Sequence, residues 1–287
     1  MRVTQSMLSN NMLRNLSNSY AKMGKLQSQL ETGKKVNRPS DDPVVAMKGI
    51  NYRTAVDKVE QFQRNLGEVN TWLDTSDDAL DKVGSALQRA NELAVQAANG
   101  TNTPDDIEKI KIEFGQLREH IQDLANTKVG DKYIFSGTNT TTPLFDRTNN
   151  VYQQGSGFEK DVEIEVFDGI TLKVNTNGTD LFKNIDQMFQ DIEGGNVDFN
   201  EAISTIDTEM NNILTARANI GARQNRAELM DNRLESQSLT AKKQMSENED
   251  IDYEKVITDM ITQESIHSAA LSVGARIIQP TLVDFLR

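Results

Sequence analysis

The chain of 287 residues contains no cysteine, two histidines, five prolines and one tryptophan. Without cysteine there can be no disulfide, thiolate zinc site, iron–sulfur cluster or cysteine nucleophile. His120 and His267 stand far apart and neither belongs to a local motif, so metal and acid–base chemistry have little to build on. Basic residues are in deficit: 31 Lys and Arg against 43 Asp and Glu give a formal charge of −12. That balance repels a phosphate backbone and makes nucleic acid a poor partner. No run of about 18 apolar residues occurs, so no membrane-spanning helix is expected. The first 27 residues carry Asn10, Asn11, Arg14, Asn15, Asn18, Lys22 and Lys25, which leaves no room for the apolar centre of a secretory signal.

Apolar residues spaced alternately three and four apart are abundant. From Tyr52 they continue through Ala55, Val59, Phe62, Leu66, Val69, Leu73, Leu80, Val83, Leu87, Ala90, Ala94 and Ala97, with Ser76 the one polar member. Such a stripe marks one face of a long helix. Asp42 is the expected N-cap, Pro43 the first helical residue, and Asn99-Gly100 the stop, which predicts a helix over about 43–98. A second helix restarts at Thr103-Pro104 and carries Ile107, Ile110, Phe114, Leu117, Ile121 and Leu124. A third starts near Phe199, with Ile206, Ile213, Ile220, Ala227, Leu234 and Ala241 recurring every seven residues. Three such stripes predict a bundle.

The middle differs. Nine of the sixteen aromatic residues lie between Tyr133 and Phe199. Val162, Ile164 and Val166 alternate with acids, and after Asp168-Gly169 the residues Ile170, Leu172 and Val174 alternate with Thr171 and Lys173. This is a β-hairpin pattern. A three-residue loop, 167–169 with Gly169 left-handed, pairs 166 with 170, 164 with 172 and 162 with 174, and sets Glu163 opposite Lys173.

Each end of the chain carries a further helical stripe. Met12, Leu16, Met23, Leu26 and Leu30 keep a heptad with Ser19 as its gap, and Val256, Met260, Ile261, Leu271, Ile278 and Leu282 belong to a broader one. The apolar surface is small for the length to be ordered, so both ends are expected to gain order by entering an assembly, with these residues as its interface.

Several segments resemble the bacterial flagellin superfamily. The run from Leu30 to Pro43, with Gly33, Asn37, Asp41, Asp42 and Pro43 at the matching positions, is similar to the family's loop after its first helix, and Glu92 to Thr101 is close to a flagellin signature. Gly221 to Arg226, with Gly221, Asn225 and Arg226, and Asp250 to Tyr253 resemble its C-terminal half, although Ala227 stands where a larger apolar residue is usual. The likeness covers about residues 1–145 and 181–287. Tyr133 to Phe145, with Gly137, Pro143 and Phe145, is similar to the hook–filament junction branch; filament flagellins usually lack it. Pro43 after the Asp pair points the same way.

The resemblance implies a mainly α, discontinuous long-helix bundle with a small inserted β domain. Residues 1–42 and 245–287 are expected to form a terminal coiled-coil layer, 43–135 and 183–244 a helical rod, and 136–182 the β domain. It implies a structural, non-enzymatic adaptor without cofactor or metal. Such a chain forms a ring of copies between the preceding hook-side junction protein and flagellin, outside the cell. It reaches that place through the type III export apparatus with an export chaperone, and has neither nucleic acid nor membrane as a partner. A short filament flagellin, a cytosolic coiled-coil scaffold and a soluble hydrolase or metal enzyme are the alternatives. The last lacks any local nucleophile, phosphate-loop or EF-hand pattern. The pairs Asp41-Asp42, Asp77-Asp78 and Asp105-Asp106 sit where carboxylates serve helix starts. Trp72, one position before Leu73, is expected to be partly buried.

Overall fold

The computed structural model describes residues 5–99, 102–195 and 198–278. In chain order its elements are α1 (Gln5–Thr32), α2 (Pro43–Ala98), α3 (Pro104–Ala125), β1 (Lys128–Val129), β2 (Lys132–Tyr133), β3 (Phe145–Asp146), β4 (Val151–Tyr152), β5 (Glu163–Phe167), β6 (Ile170–Lys173), α4 (Thr179–Gly194), α5 (Phe199–Glu249) and α6 (Tyr253–Ile278). They fall into two compact units: residues 1–58 with 238–287, and residues 59–237.

In the second unit the long stripe does what its spacing predicts. Every stripe residue of α2 from Val59 to Ala97 is buried, Ser76 included, whose hydroxyl donates back to the Trp72 carbonyl at 2.7 Å. The stripe begins one step later than expected: Ala55 is exposed, and Val56 takes the buried position. Trp72 is 2% exposed, so the buried face is wide enough to take in both Trp72 and Leu73. On α5 all six heptad residues from Ile206 to Ala241 are buried, and those up to Leu234 join the same core as α2. The two helices run antiparallel, tied by Gln224 to Asp74, Arg217 to Asp77, and Asn91 to Asp207.

Thr103 caps α3. Its hydroxyl accepts from the Asp106 amide and donates to the Asp106 carboxylate, and Pro104 begins the helix. Helix α4 packs against α3 through Phe182, Ile185, Phe189 and Ile192. All but the first turn of α4 falls in the expected helical rod, 183–244; the helix itself starts at Thr179, inside the segment expected to be β. Between the two helices Asp186 accepts from Arg118 Nε at 2.8 Å, Gln122 Nε2 at 2.8 Å and Gln190 Nε2 at 2.8 Å, which satisfies a nearly buried carboxylate.

The β region consists of three antiparallel pairs, β1–β2, β3–β4 and β5–β6. In the hairpin Glu163 faces Lys173 and Ile164 faces Leu172, as the alternation predicts. The turn is shorter than expected: Phe167 pairs with Ile170, leaving Asp168-Gly169 as the loop with Gly169 at φ +70°. A bulge at Val166 absorbs the extra residue, so Val166, Leu172 and Val174 are buried together despite the two-residue turn. Nor do Glu163 and Lys173 pair with each other. Lys173 takes Asp161, and Glu163 accepts from the Thr171 hydroxyl.

Candidate assembly interface

The first unit contains the sequence-predicted terminal stripes. Helix α1 packs antiparallel against α6. Met12, Leu16, Met23, Leu26 and Leu30 on α1, and Val256 and Met260 on α6, are half-buried in the seam between them. Ser19, the gap in the heptad, is buried and accepts from Gln263 Nε2 at 2.7 Å. The predicted interface residues thus divide into two groups. Seven line the chain's own helix pair, whereas Ile261 and Leu271 are 57% and 48% exposed. Ile278 closes α6, and Leu282 lies outside the described residues.

Five of the exposed apolar residues of α1 and α6 share a geometry. Leu13 and Tyr20 follow the seam residues Met12 and Ser19 by one position; Ile257, Ile261 and Leu271 follow Val256, Met260 and Ala270 in the same way. One position is about 100° of rotation. In an antiparallel pair the flanks reached by that rotation from each seam lie on the same side. The two helices therefore present these five residues on one face, built from both ends of the chain, while Ile266 and Val273, also exposed, each precede a seam position and lie on the opposite flank.

The family-motif loop between α1 and α2 sets this pair in place. Gly33, at φ +69°, ends α1 with its amide donating to the Gln29 carbonyl at 2.8 Å. A Cβ there would lie 2.8 Å from the Tyr253 hydroxyl, so glycine meets both the backbone and the space requirement. Asn37 returns to α1, donating to the Ser28 hydroxyl at 2.8 Å and accepting from the Thr32 hydroxyl at 2.8 Å. Asp41 accepts from the Arg38 amide. Asp42 Oδ1 accepts from the amides of Val44 at 3.0 Å and Val45 at 3.1 Å, the N-cap bonds that start α2 at Pro43.

Lys34 and Asp250 form an antiparallel bridge, flanked by the Lys35 amide donating to the Glu249 carbonyl at 2.7 Å and the Ile251 amide donating to the Gly33 carbonyl at 3.0 Å. The Glu249 side chain is 8% exposed and takes Arg53 Nη2 at 2.7 Å and Lys34 Nζ at 3.4 Å. Burial pushes its carboxyl up, but the hydrogen bonds and charge of Arg53 and Lys34 outweigh that and hold it below the usual range. The Lys34 hydrogen bond likewise lowers Asp250, and the Asp250 carboxylate in turn raises Lys34. Asp252 accepts from the Lys255 amide at 3.2 Å and starts α6. Lys34, Arg53 and Glu249 join three separate segments; Lys34 belongs to the Leu30–Pro43 motif run, whereas Arg53 and Glu249 are outside the motifs read from the sequence, Glu249 standing just before Asp250–Tyr253.

The other motif positions lie in the second unit. Gly137, at φ +59°, leaves no room for a Cβ, which would be 2.5 Å from the Gly157 and Phe158 carbonyls. Phe145 is buried, held by Asn126, whose amide accepts from its N–H at 3.0 Å and donates to its carbonyl at 2.9 Å. Pro143 lines a shallow cleft with Thr142 and Asp146. Gly221 is half-buried on α5, and Asn225 and Arg226 are exposed there. Among the described residues no group of three or more His, Asp or Glu side chains could hold a metal ion, and no helix is long and apolar enough to cross a membrane.

These observations define a discontinuous, mainly α-helical protein whose two ends close on each other and whose middle carries a small β insertion. The bacterial flagellin N-terminal helical region matches residues 3–140 and the C-terminal helical region matches residues 203–286. The chain belongs to the bacterial flagellin family. It is 28% identical to flagellar hook-associated protein 3 of Salmonella typhimurium, over 94% of this chain and 95% of that one. It is 26% identical to flagellin of Bacillus subtilis, over 96% of both. A solved structure of a flagellar hook-associated protein from Vibrio parahaemolyticus shares the fold with a TM-score of 0.64 and 24% identity, covering 73% of this chain and 100% of its own. Bacillus cereus FlgL does so with a TM-score of 0.59 and 24% identity, covering 68% and 99%.

Proposed function

We propose that the chain is a hook–filament junction protein: a structural adaptor that forms a ring of copies between the hook-side junction protein and the first flagellin subunits. It catalyses no reaction. The observation that carries this reading is the likeness to Salmonella flagellar hook-associated protein 3 along nearly the whole of both chains. The segment from Tyr133 to Phe145 supports it. Ile134, Phe135, Leu144 and Phe145 are all buried there, so the segment resembling the junction branch is built into the core.

In this reading residues 1–42 and 245–287 enter the tube wall, 43–135 and 183–244 contact neighbouring subunits, and 136–182 lie outward. The composite apolar face of Leu13, Tyr20, Ile257, Ile261 and Leu271 is the surface that other subunits cover, while the seam from Met12 to Leu30 and at Val256 and Met260 holds the pair together. A repeated contact between unlike surfaces extends or caps a tube, where a closed dimer would stop. The chain leaves the cell through the type III export apparatus with a dedicated chaperone.

A short filament flagellin is the second reading, favoured by the likeness to Bacillus subtilis flagellin over 96% of both chains. Deletion of the gene separates them. Loss of a junction protein leaves complete hooks and flagellin released into the medium. Filament loss with flagellin absent from the medium would refute the adaptor role.

A further inference from the structure

The α1–α6 seam is weakly specified by hydrophobicity. Its apolar α1 residues are only half-buried, and two of the five are methionines, whose flexible side chains fit many surroundings. A plain apolar seam admits alternative alignments one heptad apart, and a buried polar contact is the usual device that excludes them. One contact here distinguishes a single alignment. Ser19, buried, accepts from Gln263 Nε2 at 2.7 Å. A slip of one heptad in either direction parts Ser19 from Gln263 and sets its hydroxyl against Val256 or Ala270, neither of which has a side chain that can pair with it.

We infer that the Ser19–Gln263 hydrogen bond is a register key, selecting one alignment of α1 on α6 and rejecting its heptad neighbours. The consequence rests on the proposed function: a heptad slip moves one half of the composite apolar face about 10 Å along the other, so register decides whether Leu13 and Tyr20 stand beside Ile261 and Leu271 for a neighbouring subunit to cover.

The absence of native cysteine makes register measurable in the full chain. Leu26 lines one cleft with Asp259 and Gln263, which places it beside Met260. Leu26→Cys with Met260→Cys reports the observed alignment, and Leu26→Cys with His267→Cys the slipped one. With Ser19 and Gln263 intact, the first pair should oxidise at least about tenfold faster than the second. Ser19→Leu with Gln263→Leu adds apolar surface to the seam, so the helices persist, and should bring the two rates within about threefold. A ratio near one in the parent, or one unchanged by the leucine pair, overturns the inference. The measurement is made on the chain recovered in sheared flagella, where its ends are expected to be ordered; a filament subunit is recovered there as well, so its failure is distinct from a failure of the adaptor role, which the deletion phenotype tests.

Discussion

Gly49 and Glu249 should be energetically coupled. Gly49 is buried within α2, and a Cβ there would stand 2.5 Å from Glu249 Oε1. Replacing an interior helical glycine by alanine gains about 1 kcal/mol from helix propensity. Here the methyl group must displace a carboxylate held by Arg53 at 2.7 Å and Lys34 at 3.4 Å. Charge-assisted hydrogen bonds contribute about 1.5–3 kcal/mol. The Arg53 side chain is 60% exposed, so solvent screening reduces the loss to about 1–2 kcal/mol. Gly49→Ala should therefore lie between neutral and about 1 kcal/mol destabilising in the parent chain. In a Glu249→Ala background nothing opposes the methyl group, and the same substitution should stabilise by about 1 kcal/mol. The assay is a double-mutant cycle from urea midpoints by circular dichroism, with an expected coupling of about 1–2 kcal/mol. A stabilisation of about 1 kcal/mol in both backgrounds would refute the placement of Glu249 over Gly49.

Acid should weaken the loop between α1 and α2. Glu249 and Asp250, which meet Lys34 of that loop, have carboxyl groups lowered in the folded chain. Their contribution is therefore complete above the unfolded values of about 3.9–4.3 and is lost as pH falls from there through the folded values. Urea midpoints should be flat from about pH 7 to pH 5 and decline below about pH 4.5; equal midpoints at pH 7 and pH 3 would contradict this. Trp72, the one tryptophan, is 2% exposed, so its emission should be blue-shifted and resist iodide quenching until unfolding; free quenching of the native chain would show that α2 is not packed as described. Asn126→Ala removes both bonds to the Phe145 backbone and should cost about 1–3 kcal/mol by leaving buried amide groups unpaired. No change in thermal midpoint would exclude that role.

The helices were legible because their signals were repetitive and locally closed. Asp42-Pro43 and Thr103-Pro104 start helices at those residues, and the heptad from Ile206 to Ala241 is buried at every position. Pairings that depend on distant residues were not. The two-residue hairpin turn required a bulge at Val166, which alternation alone does not mark. Trp72 is fully buried because α2 is covered over a wider face than one stripe suggests. The terminal stripes were visible, but which of their residues face each other and which face outward depends on α6 meeting α1 in a single antiparallel alignment. Seam residues such as Met260 and exposed residues such as Ile261 are adjacent and equally apolar. Glu249 was hidden for a related reason: Lys34 and Arg53, its partners, lie some two hundred residues away in the chain.

The adaptor role is tested most directly by where the protein sits. Gold-labelled antibody against an epitope tag in the β5–β6 loop, viewed on intact flagella by electron microscopy, should mark one narrow band where the hook meets the filament. Label distributed along the filament, or confined to the cytoplasm, would contradict it.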